Sequence, residues 1–202
     1  MQFADALNIL LVHEGGYSNV SYDTGGETYQ GISRNNWPNW PGWQIIDQYK
    51  PLKHNQVIEN VTLQNLVTNF YKVHFWDVIK ADQLPKEIRP LVFDFAVNSG
   101  TGTAVMALQR VLRDSTGKKI AIDGVVGPQT IALANQLPAK QLFERYKQAR
   151  YNFFVRIVER NPSQKKFLTG WLNRLNSYQF VGIAAGSVVL FSLFAYFALK
   201  GN

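Results

Sequence analysis

From Leu175 to Leu199 the chain runs 25 residues without a charged side chain. The centre of that run, Phe180–Leu199, reads FVGIAAGSVVLFSLFAYFAL. At about 1.5 Å per helical residue it covers about 30 Å, the thickness of a bilayer's hydrocarbon core. Tyr178 and Lys200 bracket it in the manner of interfacial residues. A core helix of a globular domain usually keeps a polar face, and this stretch has none. Its C-terminal position separates it from a secretory leader. The sequence therefore predicts a transmembrane helix over 177–200, with Phe180–Leu199 in the lipid bilayer, and ahead of it a domain that works at a membrane surface. Gly182 and Gly186 form a G-x-x-x-G pair, a spacing that lets two membrane helices approach closely, so self-association is a further expectation.

The remaining part, about 175 residues, is long enough for one domain with a core of its own. There is no cysteine, which excludes disulfides, thiolate catalysis and zinc–thiolate sites. The three histidines, His13, His54 and His74, do not recur at a metal-ligand spacing, so neither a metal nor another cofactor is expected. The net charge of +7 is uneven. Residues 1–139 carry 11 Lys/Arg against 12 Asp/Glu, whereas residues 140–174 carry 9 against 2. This basic segment is either the solvated face of an amphipathic helix or a surface drawn to anionic headgroups or an anionic polymer, at up to about 1 kcal/mol per residue. No nucleic-acid-binding motif accompanies it, so nucleic acid is not an expected partner. Lys165, Lys166 and Arg174 precede the apolar run and Lys200 alone follows it, which by the positive-inside rule leaves the domain on the cytoplasmic side.

Periodicity outlines the elements. Phe3, Leu7, Leu10 and Leu11 fall on one face of a helix over Phe3–His13, which Gly15-Gly16 stops. Tyr17–Ile32, rich in Gly, Ser, Thr and Tyr, reads as a short hairpin or irregular β element. Trp37-Pro38-Asn39-Trp40-Pro41-Gly42-Trp43 has two prolines and is no ordinary helix. In a polyproline-II conformation its tryptophans would share one edge and extend a saccharide groove; alternatively they pin a loop to the core. Helical patterns resume over Leu63–Val73 and, after Pro90, in two helices separated by an Asn98–Thr103 turn. Ala121–Gly127 reads as a loop, Pro128 as the first turn of a helix, and Gln141–Val158 as a long helix broken by Asn161-Pro162-Ser163. Phe167–Leu175 forms a last short helix.

Glu14 ends the first helix, where the helix dipole and partial burial both favour a protonated carboxyl. A glycosidase general acid needs that property. Asp23 follows across the Gly15-Gly16 turn, and Thr28 after four more residues. A hairpin of this length can fold Asp23 back to face Glu14, and two carboxylates flanking a bond are the minimum apparatus for cleaving a glycoside. Thr28 would orient the attacking water or hold Asp23.

The strings Glu14-Gly15-Gly16-Tyr17-Ser18, Asp23-Thr24-Gly25-Gly26-Glu27-Thr28 and Gly31-Ile32-Ser33 resemble the N-terminal signature of glycoside hydrolase family 108, which contains phage endolysins and bacterial muramidases. Phe93-Asp94-Phe95-Ala96-Val97-Asn98-Ser99-Gly100, Leu108-Gln109 and Asp123-Gly124-Val125-Val126-Gly127-Pro128-Gln129-Thr130 resemble the peptidoglycan-binding region that follows in that family. Arg150 and the Phe167–Arg174 string resemble its C-terminal part. Two positions depart from the family pattern: Thr24 stands where proline is common, and Gln30 where an apolar or aromatic residue is common.

The resemblance implies a mainly α, α+β lysozyme-like fold with a small β-hairpin element. It would have a catalytic region over 1–90 and a helical peptidoglycan-binding-like region over 91–176 that completes the domain. It implies a muramidase cutting the β-1,4 MurNAc–GlcNAc bond of peptidoglycan glycan strands. Glu14 would be the acid, Asp23 and Thr28 positioning or water-activating groups, and Tyr29, Gly31 and Asn98 substrate-binding residues. Lytic transglycosylase and non-catalytic wall-binding or virion protein are the alternatives. The expected location is a host inner membrane or the internal membrane of a phage virion. For Asp94, Asp123 and Thr130, turn-forming and helix-capping roles are the reading taken from the residues themselves.

Overall fold

The computed structural model describes residues 1–19 and 26–180. Asp23, Thr24, Gly182, Gly186 and the apolar run from Val181 onward lie outside them. Among the described residues no helix is long and apolar enough to cross a membrane.

The described residues form eight α-helices and one small sheet. Helix α1 (Phe3–Glu14) starts where the Asp5 carboxylate accepts the Gln2 N–H at 3.2 Å, and it buries Ala6, Leu7 and Leu10. The predicted hairpin is a three-stranded antiparallel sheet of β1 (Tyr17–Ser18), β2 (Thr28–Tyr29) and β3 (Ile32–Ser33). Tyr29 pairs with Ile32 across a two-residue turn in which Gln30 and Gly31 both take positive φ, 46° and 79°. This is the primed hairpin geometry whose twist matches that of the strands.

The tryptophan segment forms a pinned turn rather than a polyproline edge. A four-residue backbone bond links Ser33 to Trp37, three-residue bonds carry on to Trp40 and Trp43, and helix α2 (Gly42–Gln48) begins within the segment. Trp43 is buried and donates its indole N–H to the Trp37 carbonyl at 2.8 Å. Trp37 packs edge-on against Phe70, 4.9 Å between centroids. Trp43 is lost to the core, Trp40 is partly buried and Trp37 stays exposed, so the three rings do not form one shared edge.

Helix α3 (Val61–Tyr71) continues into a π turn, Lys72–Trp76, that seats Trp76 in the core. Helix α4 (Arg89–Ser99) is the central element, with every residue from Pro90 to Ala96 buried. A helix covered on all sides needs apolar residues all round, which is why it lacks an amphipathic pattern. The turn expected over Asn98–Thr103 is shorter: Gly100 alone, at φ 91°, separates α4 from α5 (Thr101–Thr116). Asp94 is accordingly a mid-helix residue of the core, not a turn former. Asp123 does shape the loop before α6 (Pro128–Gln136), accepting the Val125 N–H at 2.9 Å and the Gln109 amide at 2.8 Å. Thr130 is buried in α6.

Helix α7 (Ala139–Arg160) packs against α5, and α8 (Lys165–Ser177) packs back on α7. The uncharged run does not begin as one continuous helix. Helix α8 stops at Ser177, and Tyr178 turns to an extended conformation. Tyr178 is buried rather than interfacial, as is Leu175. Phe180 packs on Phe143, 5.7 Å between centroids. The four residues 177–180, expected in the span, therefore belong to the domain.

Candidate active site

The end of α1 is held from two sides. Gly16 donates its N–H to the Asn55 side chain at 2.8 Å, and a Cβ on Gly16 would lie 2.4 Å from the Asn55 carbonyl oxygen. Only glycine permits that approach. The Gln30-Gly31 turn closes from the other side, where Gln30 donates its N–H to the Gly16 carbonyl at 3.0 Å. Buried Tyr71 donates its hydroxyl to the Gln30 carbonyl at 2.6 Å. A Cβ on Gly31 would meet Glu14 Oε2 at 2.6 Å and Tyr71 Oη at 2.7 Å. Glycine at 31 thus satisfies the turn and leaves room for the Glu14 carboxyl.

Glu14 Oε1 accepts from Arg174 Nη2 at 2.7 Å. The same guanidinium donates through Nε to Asp94 Oδ1 at 2.8 Å, so Arg174 bridges two carboxylates. Asp94 Oδ2 faces Arg150 Nη2 at 2.5 Å. The Arg150 guanidinium carbon lies 5.1 Å from the Phe95 ring centroid and 5.4 Å from that of Phe154, and aromatic faces attract such a cation. The result is a cluster of two acids and two arginines drawn from α1, α4, α7 and α8. The Glu14 side chain is 17% exposed, Arg174 14%, and Asp94 0%.

The electrostatics follow from these contacts. Burial works against the Asp94 charge, but Arg150 and Arg174 outweigh it, and its carboxyl is held below the usual range. Burial likewise opposes the Arg174 charge, and Asp94 followed by Glu14 overcomes it, so the guanidinium is firmly protonated. Burial and then Arg174 lower the His13 imidazole. The Tyr71 phenol is pushed well up by burial and then by the Glu14 charge. The Tyr178 phenol is pushed up by burial and then by the Asp94 charge.

The structure brings Glu14 and Gly31 together and places Thr28 on β2, partly buried, two residues before the turn. Asn98 is exposed on α4, one turn beyond Asp94 and on the same helical side. Tyr29 is different: it is fully buried, and its hydroxyl accepts the Ile58 N–H at 3.0 Å. That side chain serves the core, not a sugar subsite. Asp94 cannot be a second glycosidase carboxylate, because it is sealed from solvent and committed to two arginines.

Sequence reading missed the Asp94–Arg150–Arg174 cluster. The available signal was a lone carboxylate inside Leu91–Val97, since a buried charge needs a partner. Among the described residues no group of three His, Cys, Asp or Glu side chains is arranged to hold a metal ion.

Beside β1 opens a cavity of about 580 Å³ lined by Tyr17, Asn19, Lys50, Pro51, Leu52 and His54. It shares Tyr17 with the strand that leaves the Glu14 turn.

Comparison with known proteins agrees with this layout. The family described as Glycosyl hydrolase 108 matches residues 7–100, and the Predicted Peptidoglycan domain matches residues 103–176. No curated protein sequence matches. The solved structure of Brucella abortus SagA is 25% identical with a TM-score of 0.63, over 87% of this chain and 90% of that one. Together the two matched regions support a peptidoglycan hydrolase, a glycoside hydrolase in which a family 108 region is joined to a peptidoglycan region.

Proposed function

We propose that the chain is an N-acetylmuramidase that cleaves the β-1,4 MurNAc–GlcNAc bond with Glu14 as general acid. One observation carries this reading: Glu14 is a partly exposed carboxyl whose two oxygens have different surroundings. Arg174 engages Oε1, while Oε2 lies on the side of Gly31, an exposed residue. The proton for the leaving oxygen would be delivered from Oε2, and the bridging guanidinium would fix the rotation of the carboxyl. Arg174 is thus a positioning residue supplied by the second matched region. Asp23 and Thr28 would place the attacking water, and Asn98 would line a sugar subsite. The apolar run from Val181 would tether the enzyme to a bilayer, host inner membrane or virion, in keeping with a phage lytic role.

Peptidoglycan digestion by the full chain and by Glu14→Gln, with products read by mass spectrometry, tests the proposal. Reducing-end muramic acid from the wild type, falling about 10²–10⁴-fold in Glu14→Gln, is the expected outcome. Anhydro-muramic ends would make the enzyme a lytic transglycosylase, which needs the same acid but no water. Undiminished cleavage by Glu14→Gln would remove Glu14 from the mechanism.

A further inference from the structure

A second hollow, of about 400 Å³, lies between α5 and α7, inside the region matched to the peptidoglycan domain. Thr103, Met106 and Ala107 of α5 and Ala149 and Phe153 of α7 form its floor, and Arg110, Arg156 and Arg160 stand around it. Residues 149, 153, 156 and 160 recur at helical spacing, so they share one stripe of α7. The small side chains Thr103, Ala107 and Ala149 leave the space open. Phe153 fixes the floor, packing against Phe95 of α4 with 5.1 Å between centroids.

The three arginines are exposed, and among the described residues none of them is ion-paired. The nearest carboxylate along α5, Asp114, is taken by Arg113 at 2.8 Å. Arg156 and Arg160 are like charges one helical turn apart, an arrangement that weakens a helix. Three unpaired guanidinium groups around an apolar floor call for a ligand with several carboxylates and small alkyl groups. Guanidinium groups match planar carboxylates through paired N–H donors.

We infer that this hollow binds the peptide stem of peptidoglycan, its free carboxylates on Arg110, Arg156 and Arg160 and its alanine methyls on Met106, Ala107 and Phe153. The inference rests on peptidoglycan being the substrate and deepens that reading. One end of the hollow, at Thr103, is five residues from Asn98, so a glycan bound at Glu14 and its own stem peptide would share the α4–α5 corner.

The probe is the disaccharide tetrapeptide GlcNAc–MurNAc–peptide, which contains no MurNAc–GlcNAc bond to cut. Its binding to the full chain is measured by calorimetry beside the peptide-free disaccharide. The same titration uses Arg156→Gln/Arg160→Gln and, separately, Arg110→Gln, with unchanged thermal melting as the folding control. The expected result is that the tetrapeptide binds the wild type at least tenfold more tightly than the bare disaccharide, and that the double variant loses this advantage. Peptide-free glycan strands should be cut at the wild-type rate by both. Equal affinity of wild type and variants for the tetrapeptide would overturn the inference. So would arginine-dependent binding to phosphatidylglycerol vesicles with none to the tetrapeptide, which would make the hollow a lipid site. Arginine-dependent tetrapeptide binding without cleavage of any strand would uphold the hollow and overturn the muramidase reading instead.

Discussion

Two clusters of two acids and two cations stand out among the described residues, alike in charge count and different in how far water reaches them. The first joins Glu14, Asp94, Arg150 and Arg174 in the core. The second joins Glu27, Arg34, Asp47 and Lys50 and runs from a largely covered Glu27, 12% exposed, out to the surface; Arg34 spans Glu27 and Asp47 at 2.7 Å each and Lys50 spans the same pair at 2.6 and 2.7 Å. The surface cluster fastens the sheet to α2, with Tyr17 donating its hydroxyl to Glu27 at 2.9 Å. Its Asp47 side chain is 42% exposed, so water and salt compete for the Asp47 contacts. Asp94 in the core cluster has no such competitor. An exposed pair contributes about 0–1 kcal/mol, whereas removing one partner of a buried pair costs about 3–5 kcal/mol because the other charge is stranded. The same count of charges therefore gives a local staple in one place and a structural requirement in the other.

The comparison is broken most sharply at Asp94. Asp94→Asn should leave Arg150 without its counter-charge and cost about 3–5 kcal/mol. For a chain of this size that is a Tm fall of about 6–20 °C, read by calorimetry or circular dichroism. An unchanged Tm would mean that the core cluster carries no stability.

Arg174→Gln should come next. Glu14 keeps its place on α1 but loses the contact that fixes its rotation. We expect wall-digestion rate to fall by about 10–100-fold, in line with misplacement of a reacting group, with KM little changed. Arg174→Lys, which keeps the charge but not the fork, should recover part of that loss. A rate equal to wild type in Arg174→Gln would remove the positioning role.

The acid limb involves both clusters, since Asp47 and Glu27 are held below the usual carboxylate range as Asp94 is. Asp94 has a folded pKa below its unfolded one, so its contribution is complete above the ordinary carboxylate value of about 3.9 and is lost as pH falls through the lower folded value. His13 is also lowered, so its contribution is present above about pH 6.5 and declines as pH falls below that point. Thermal melts between pH 8 and pH 3 should show both losses. His13→Gln should flatten the upper one alone.

The smallest effect belongs to the surface. Asp47→Asn, at the exposed end of the second cluster, should cost about 1 kcal/mol or less at low salt, and about 1 M NaCl should erase most of the difference. A loss as large as that of Asp94→Asn, persisting in high salt, would abolish the distinction between the clusters.

How much of this was legible in the sequence depended on the range of the interaction. The helices beginning at Phe3, Pro128 and Ala139 announce themselves through local spacing, and the hairpin through its glycines. Glu14 and Gly31 could be singled out because their strings are short and specific. The tryptophan segment left two readings open, a saccharide edge or a loop pinned to the core, because proline content constrains the backbone but does not say which rings will be covered. Phe70 and Ser33, which cover or bond it, are distant or inconspicuous. Tyr29 resembled a site residue by position, yet strand alternation put it on the core side. The ion cluster was invisible for a simpler reason. Arg174 lies 160 residues from Glu14 and 80 from Asp94, and no periodicity reports a contact across such a distance.

The bridging guanidinium also bears on modularity. The two matched regions abut between residues 100 and 103, which on paper invites cutting there and recombining each half with other partners. Electrostatically there is no seam at that point. The first region owns both acids of the core cluster and the second owns both cations. A fragment ending at residue 100 would carry Asp94 into its interior with no counter-charge. A transplanted second region would bring two arginines looking for acids that its new host must supply at matching positions. The regions are exchangeable only as a charge-matched pair, so a hybrid of this architecture is a problem of ion pairing before it is one of linker length.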